Sequence, residues 1–262
     1  MQDFFKVSGI KKSFVTKDGE IPVLGGIDFE VREKEFICIM GASGCGKSTL
    51  IRTMEGIETP DEGEVILEGQ KMPQVSSKEI QKKFGIVFQN DNLLEWKTVY
   101  ENVRLPLQVF GMKKQKDLNI EKQITKMLDL VGLQEFKDCL PKELSGGMRQ
   151  RAAIARALVT DPDLFMLDQP FGALDAITRK MLNVELLKIW NETKKTCVMI
   201  TNNVNEALYL GQRVLVMSHS PARIIHNMEI PFTYEERKNQ LELNPEYLEL
   251  RAKLNDIVRT LN

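Results

Sequence analysis

The fold of this chain is decided by the stretch Gly41-Ala42-Ser43-Gly44-Cys45-Gly46-Lys47-Ser48-Thr49, which follows an apolar run and precedes a helical pattern. Its G-x-x-x-x-G-K-S spacing is typical of a phosphate-binding loop, in which glycines let backbone N–H groups turn towards phosphate oxygens. Lys47 would add a positive charge, Ser48 a hydroxyl ligand for Mg2+, and the following helix its positive dipole end. The stretch therefore predicts a nucleoside triphosphate site; a glycine-rich turn without a ligand is the alternative.

The pattern on both sides of the loop predicts an α/β fold in three parts. Residues 4–14 and 21–31 alternate as extended segments, which predicts an antiparallel β layer ahead of the loop. Helical periodicity dominates from about residue 90 to 160 and predicts a helical insertion. Beyond it, apolar strands and helices alternate to residue 217, as in a right-handed doubly wound parallel sheet.

The last stretch, residues 234–261, has apolar residues at helical spacing with charges between them. This pattern predicts an amphipathic helical tail, which packs on its own domain more often than on a partner. The apolar positions are Leu243, Tyr247, Leu250, Leu254, Val258 and Leu261.

Two further positions are candidates for ligand contacts. Asp168 ends a fully apolar strand, so it would lie at the carboxyl edge of a buried parallel sheet, where it can hold Mg2+ through water together with Ser48. An ordinary turn aspartate is the alternative. Phe14, at the end of the first extended segment, would either stack on an adenine ring or fill the core.

A second anion site is predicted within LSGGMRQR (144–151), which precedes an alanine-rich helix. A Ser-Gly-Gly step at a helix start presents N–H groups and a positive dipole end. The site has no ligand assigned on this ground alone, and an ordinary capped helix is the alternative.

Composition limits the partners and the compartment. The 36 Lys and Arg residues nearly balance the 37 Asp and Glu residues, so no strong field favours nucleic acid as the main partner. The four cysteines have neither metal-ligand nor paired spacing, which favours unpaired thiols in the cytosol. No secretory signal and no apolar run near eighteen residues is present, so a membrane role is expected only through a partner.

The phosphate loop, Gln89, LSGGMRQR and LFMLDQPFGALD (164–175) occur in this order, and together they resemble the ATP-binding subunit of an ABC transporter. The resemblance runs from about residue 7 to about residue 231. FQNDNLLEWKTV (88–99), ENV (101–103) and PFGALD (170–175) resemble the nitrate, sulfonate and taurine importer branch. That branch usually has proline where this chain has Glu95.

The resemblance implies a RecA-like phosphate-loop NTPase core with an antiparallel β subdomain and an inserted helical subdomain. The ABC-type nucleotide-binding domain would span 1–232, with the helical subdomain at about 90–160, and a C-terminal helical extension would span 233–262. ATP and Mg2+ are the implied cofactors. By the same resemblance, Phe14 would stack on adenine and residues 41–49 would hold the phosphates. Mg2+ would be surrounded by Ser48, Gln89 and Asp168. The nucleotide site of a second subunit would be completed by Ser145, Gly146, Gly147 and Gln150, and Asp175 would lie in the D-loop that crosses the interface.

Two positions depart from an active member of that family. Gln169 stands where the family has the glutamate that orients water and accepts its proton, and an amide cannot act as that base. Asn202 stands where the family has a switch histidine; it can hydrogen-bond a γ-phosphate but cannot become cationic. Gln169 is either an engineered substitution that traps the ATP-bound dimer or a natural change in a chain paired with a competent subunit. Lys47 completes the implied catalytic set.

The implied function is to energise an importer for a small anionic or polar solute such as nitrate, a sulfonate, taurine or bicarbonate. ATP binding would close the subunit dimer and hydrolysis would reset it. The implied partners are integral membrane permease subunits that contact residues 89–101, a second ATP-binding subunit, identical or not, and an extracytoplasmic solute-binding protein, at the cytoplasmic face of the membrane. No nucleic acid is expected. The alternatives are a soluble ABC ATPase of DNA repair or translation and a nucleotide-gated regulatory module.

Overall fold

The computed structural model describes residues 4–17, 19–72, 77–111, 117–239 and 241–261. The chain forms two compact units, one from Met1–Ser76 together with Thr196–Asn262 and one from Ser77–Lys195. The strands are β1 (Phe5–Thr16), β2 (Gly19–Val31), β3 (Phe36–Gly41), β4 (Glu62–Leu67), β5 (Gln70–Lys71), β6 (Phe84–Val87), β7 (Leu164–Asp168), β8 (Thr196–Ile200), β9 (Arg213–Met217) and β10 (Ile224–Glu229). The helices are α1 (Lys47–Met54), α2 (Lys78–Lys82), α3 (Val99–Val109), α4 (Asp117–Leu130), α5 (Gly146–Leu158), α6 (Ala176–Thr193), α7 (Val204–Leu210), α8 (Tyr234–Lys238) and α9 (Pro245–Arg259).

The first unit contains the antiparallel layer that the sequence predicts. Its strands run in the order β2-β1-β4-β5, and β1 pairs with both β2 and β4 in antiparallel register. The inward positions of β1 are apolar and buried, as alternation requires. Pairing of Thr16 with Gly19 closes the β1–β2 hairpin; Asp18 lies outside the described residues.

A parallel group of strands forms the centre of the same unit. Strand β3 pairs in parallel with β8 on one side and β9 on the other, and β10 pairs antiparallel with β9. All residues of β3, β8 and β9 are buried, which explains why their sequences are apolar at nearly every position and do not alternate. Ile39 pairs with Ile200, so the segments after β3 and β8 leave the same edge of the sheet.

The second unit combines the parallel pair β6–β7 with helices α2 to α6. Helix α3 begins at Thr98 with a capping box that Glu101 completes. Helix α5 approaches β6 so closely that a Cβ on Gly85 would lie 2.5 Å from the carbonyl oxygen of Ala157. Glycine is therefore required there, and the alanines of α5 are buried at this approach.

The tail differs from the predicted single apolar face. Asn244 caps α9, and Pro245 occupies its first turn, so the tail divides into α8, a 3-10 turn and α9. Tyr247, Leu254 and Leu261 are buried as predicted. The prediction is wrong for Leu243, which lies in the 3-10 turn before the cap of α9 and is 72% exposed. The domain boundary after residue 232 stays a prediction.

Two observations bear on the expectations from composition. Cys38, Cys45, Cys139 and Cys197 form no disulfide within the described part of the chain. Among the described helices, none combines the length and the apolar character needed to cross a membrane.

A buried ion pair lies at the amino ends of β3 and β9. The guanidinium of Arg213 donates from Nη2 to Glu35 Oε2 at 2.9 Å and to the carbonyl oxygen of Glu30. Both side chains of the ion pair are only 5% exposed, and the backbone N–H of Arg32 also donates to the Glu35 carboxylate. The guanidinium therefore joins the backbone of β2 to the carboxylate that precedes β3.

Replacing Glu35 by alanine should destabilise the protein by about 3–5 kcal/mol, because it leaves the buried guanidinium without its counter-charge. Urea denaturation of the full chain measures the loss. Glu62→Ala is the matched control, since its ion pair with Lys11 is as short, at 2.7 Å, but exposed, and should be worth about 1 kcal/mol or less. Equal losses in the two variants would contradict the role given to burial.

Candidate functional site

The phosphate loop leaves the carboxyl end of β3 and holds its own lysine. Lys47 is 5% exposed, and its Nζ donates to the carbonyl oxygens of Gly41 at 2.8 Å and Ala42 at 2.7 Å. Nζ also lies 3.9 Å from Cys45 Sγ. These contacts fix the ammonium group against the loop backbone, so the cation is in place for an anion before any ligand arrives.

Gly46 is required at the last step of the loop before α1. Its φ is 104°, in the region that disfavours residues with a Cβ. A Cβ there would also lie 2.7 Å from Val23 Cγ1 in β2. The loop is therefore shaped both by its own backbone and by the antiparallel layer of the same unit.

The segment after β8 carries Asn202 between two fixed neighbours. The hydroxyl of Thr201 donates to the carboxylate of the buried Glu206 and accepts from the N–H of Asn203 at 3.0 Å. The Asn203 side chain caps α7 by accepting from the N–H of Asn205 at 2.9 Å and of Glu206 at 3.3 Å. Asn202 itself is exposed and lies one residue before Asn203, the cap of α7.

In the second unit, Gln89 and Asp168 follow the carboxyl ends of neighbouring parallel strands, because Val87 of β6 pairs with Leu167 of β7. This edge is where ligands bind in α/β sheets. Gln169 has a φ of 46°, a left-handed conformation that non-glycine residues adopt rarely. A Cβ on Gly172 would lie 3.5 Å from Gln89 Nε2 and 3.8 Å from Gln169 Cβ, so the two glutamines lie on the same side of this turn.

The Ser-Gly-Gly step does begin a helix. Ser145 Oγ accepts from the N–H of Met148 at 3.3 Å and caps α5. A Cβ on Gly146 would lie 3.0 Å from Leu174 Cδ2, and one on Gly147 would lie 3.1 Å from Thr178 Cγ2. The glycines therefore let the start of α5 approach the start of α6.

Two polar side chains lie near the starts of these two helices. Asp175 caps α6, since its Oδ1 accepts from the N–H groups of Ile177 and Thr178, both at 3.0 Å. The bond from the backbone of Thr178 is the main cause of a lowered pKa for the Asp175 carboxyl. Gln150 is buried in α5, and its Nε2 has no hydrogen-bond partner in the described part of the chain.

Residues 24–172, more than half of the chain, match the family model described as ABC transporter. The chain belongs to the ABC transporter ATP-binding family. The fold and the resemblance predicted from the sequence are confirmed.

Three relatives represent the importer branch of this ABC family. The chain is similar to the taurine import ATP-binding protein TauB of Rhizobium johnstonii, with 38% identity over 97% of this chain and 96% of the relative. It is 38% identical to the aliphatic sulfonates import ATP-binding protein SsuB of Bacillus cereus, over 95% and 93%. It is 41% identical to the bicarbonate transport ATP-binding protein CmpD of Synechococcus elongatus, over 95% and 87%.

A solved ABC cassette has the same fold. It is a dimeric structure in a post-hydrolysis state, bound to ADP and Pi, with 32% identity and a TM-score of 0.75 over 87% of this chain and 100% of that cassette. Nucleotide binding by a chain with this fold and phosphate loop is therefore a property of the ABC family.

Sequence reasoning missed a network that joins α5 to the segment after Gln89. Arg149 Nε donates to Asp91 Oδ2 at 3.1 Å, and Arg156 donates to the carbonyl oxygens of Asp91 and Asn92, both at 2.6 Å. Burial lowers the pKa of Arg156, with Asp91 opposing the shift. The two arginines are seven residues apart and so share a helix face, a spacing that was visible in the sequence.

Phe14 lies in β1 opposite Ile21 and is 38% exposed, so it is not a core residue. The ammonium of Lys12 lies 5.4 Å from the centroid of its ring, and Glu58 and Asp61 hold that ammonium at 3.0 and 3.2 Å. The first unit thus contains Phe14, the phosphate loop and Asn202. Gln89, Ser145, Gly146, Gly147, Gln150, Asp168, Gln169 and Asp175 belong to the second.

Replacing Gly46 by alanine should lower the affinity for ATP by about tenfold or more, because the left-handed backbone strains any residue with a Cβ and Val23 blocks the added atom. Equilibrium titration of the full chain with ATP measures the change. Gly111→Ala is the matched control, since Gly111 also has a positive φ, of 69°, but nothing within 4 Å of the added Cβ. Similar affinities for the two variants would contradict this reading of the loop.

Proposed function

We propose that this chain is the ATP-binding, energy-coupling subunit of an ABC importer for a small anionic or polar solute. The observation that carries the proposal is a phosphate loop with a preplaced Lys47 in a chain that aligns over nearly its whole length with import subunits for taurine, sulfonates and bicarbonate. ATP binding closes a pair of subunits, and hydrolysis followed by phosphate release reopens it. The chain itself is a peripheral component at the cytoplasmic face of the membrane.

The nucleotide site is shared between two subunits in this proposal. Ser145, Gly146, Gly147 and Gln150 of one subunit complete the phosphate site of the other, and Asp175 lies in the interface. The dimeric cassette with bound ADP and Pi supports the pairing. The start of α5 supports the anion contact, because a neutral hydroxyl caps it and the buried Gln150 Nε2 is a donor without a partner among the described residues. The second subunit is identical or a close relative.

Mg2+ is assigned to Ser48, Gln89 and Asp168. A hydroxyl, an amide oxygen and a carboxylate are the hard oxygen donors that this ion prefers, so the residues fit it. When bound with ATP, the ion neutralises charge on the β- and γ-phosphates. Lys47 adds a second positive charge to the phosphates, and the exposed ring of Phe14 stacks on the adenine.

A permease contact is assigned to the loop before α3. Trp96 is 74% exposed there, although the large aromatic side chain of Trp is usually mostly buried. The fully buried Asn102 holds the loop: its Nδ2 donates to the carbonyl oxygens of Leu94, Lys97 and Thr98, and its Oδ1 accepts from the N–H of Leu94 at 2.8 Å. An exposed aromatic residue on a fixed loop is typical of an interface anchor. An extracytoplasmic solute-binding protein completes the proposed importer.

In this proposal, ATP hydrolysis at the chain's own nucleotide site is slow. Gln169 keeps the shape of glutamate but supplies no base, and Asn202 contacts the γ-phosphate without a charge. Whether Gln169 is engineered or natural, ATP would stay bound at this site because its hydrolysis is slow. The same two residues support a second candidate function, a regulatory module that binds ATP without turnover.

Replacing Gln169 by glutamate should raise ATP turnover of the assembled transporter by about 10²- to 10⁴-fold, the usual contribution of a general base. Phosphate release from the purified complex at saturating ATP measures the rate. Gln169→Ala is the control, because it changes the side chain without adding a carboxylate. An unchanged rate in Gln169→Glu would reject Gln169 as the limiting defect.

The importer itself is tested by purifying the full chain from membranes and by ATP-dependent uptake of taurine, an alkanesulfonate or bicarbonate into vesicles that contain the complex. Trp96→Ala should weaken retention of membrane subunits by about 30-fold, as expected for an interface anchor worth about 2 kcal/mol. Ile177→Ala, which removes a side chain that is 76% exposed, is the control. Recovery of the chain without any membrane subunit would favour the regulatory module.

A further inference from the structure

Arg237, in the tail, is bound entirely by backbone carbonyl groups. It is 2% exposed. Its Nε donates to Phe232 O at 2.9 Å, its Nη1 to Leu208 O at 3.0 Å and Tyr209 O at 2.6 Å, and its Nη2 to Gly211 O at 2.8 Å and, more weakly, to Ile230 O at 3.5 Å. A guanidinium has five N–H donors, and here each has an acceptor.

Three of these acceptors belong to the carboxyl end of α7. The last carbonyl groups of a helix have no partner within it and carry the negative end of its dipole, so a buried cation is favourable there. Burial lowers the pKa of Arg237 to about 10, which leaves the group charged at neutral pH. Arginine suits this position because its fixed fork reaches several carbonyl groups at once, which an ammonium group cannot do.

The tail also contacts the opposite end of α7. The hydroxyl of Tyr247, in α9, lies 3.5 Å from Asn205 Oδ1, in the first turn of α7. Tyr247 is buried, and its ring packs against Phe232, whose carbonyl oxygen accepts from Arg237. Arg237 of α8 and Tyr247 of α9 therefore contact one short helix at its two ends.

Helix α7 is bonded through its first turn to both neighbours of Asn202 in the chain. It spans seven residues, Val204–Leu210, which is about 10 Å, so a displacement at its carboxyl end reaches its first turn. That first turn is tied to Thr201 and Asn203 by the bonds described above, and Asn202 lies between them.

We propose that Arg237 is a positioning residue, which sets the distance of Asn202 from the γ-phosphate of bound ATP by holding the carboxyl end of α7. The inference rests on the proposed function, in which Asn202 contacts that phosphate. It gives the tail a role in ATP recognition, although the tail lies outside residues 24–172, which match the ABC family model.

The preference of the full chain for ATP over ADP tests the inference, because only ATP has the γ-phosphate. Dissociation constants for Mg-ATP and Mg-ADP are measured by displacement of a fluorescent ADP analogue. Arg237→Ala should weaken ATP binding by about fivefold, the lower end of usual couplings between sites, and leave ADP binding unchanged. Arg237→Lys, which keeps the charge without the fork, should fall between Arg237→Ala and the unchanged chain.

A double-mutant cycle with Asn202→Ala shows whether Arg237 acts through that residue. Asn202→Ala should give the same loss of ATP preference as Arg237→Ala, and the double variant should lose no more than either single variant. Ile10→Ala, in the buried core of β1, controls for lower stability, since it should reduce the melting temperature without changing the ATP-to-ADP ratio. Where Arg237→Ala does not fold, Arg237→Lys takes its place in the cycle.

Three results would overturn the inference, and they are distinguishable. An unchanged ATP preference in the Arg237 variants, with a loss in Asn202→Ala, rejects the role of Arg237 and leaves the proposed function standing. No loss in Asn202→Ala rejects the proposed γ-phosphate contact, and the inference that depends on it falls as well. Additive losses in the double variant would show that Arg237 does not act through Asn202.

Discussion

The structure depends on one turn, in which a fully buried strand gives way to a helix around a lysine ammonium. Strand β3 has no exposed residue, so the chain must leave the sheet abruptly, and Gly46 supplies the left-handed step that begins α1. The carbonyl oxygens of Gly41 and Ala42 then hold Lys47 within the turn. The cation of Lys47 is therefore held by the last residue of the strand and the first residue of the loop.

Much of the fold was predictable because a buried segment is recognisable from its own apolar run or apolar periodicity. Strands β8 and β9 are apolar at nearly every position, and helices α3 and α4 show a 3.6-residue period. Strand β10 was not predicted, because Ile224–Glu229 has no fully buried position and shows no alternation. Leu243 was assigned wrongly because periodicity does not register the cap that Asn244 provides one residue later.

The candidate site also has one part that the sequence predicts and another part that it does not. Its phosphate loop and Ser-Gly-Gly step were readable since each acts through consecutive residues. The bonds from Arg149 to Asp91 and from Arg237 to Leu208 join residues 58 and 29 positions apart, and no local pattern reports such pairs. In the sequence, charged residues between apolar ones indicate a solvent-exposed helix face. The contacts of Arg149 and Arg237 were therefore not predicted.

The first unit is assembled from both ends of the chain, and this has a consequence for synthesis on the ribosome. Strand β3 has its two parallel partners, β8 and β9, more than 150 residues later, while the continuous second unit emerges between them. The phosphate loop therefore cannot be supported on both sides until the strands near residue 217 have been made. Until then the apolar β3 has no sheet to join, so a stalled or truncated chain presents a strand that is prone to aggregate and is not a partly working subunit.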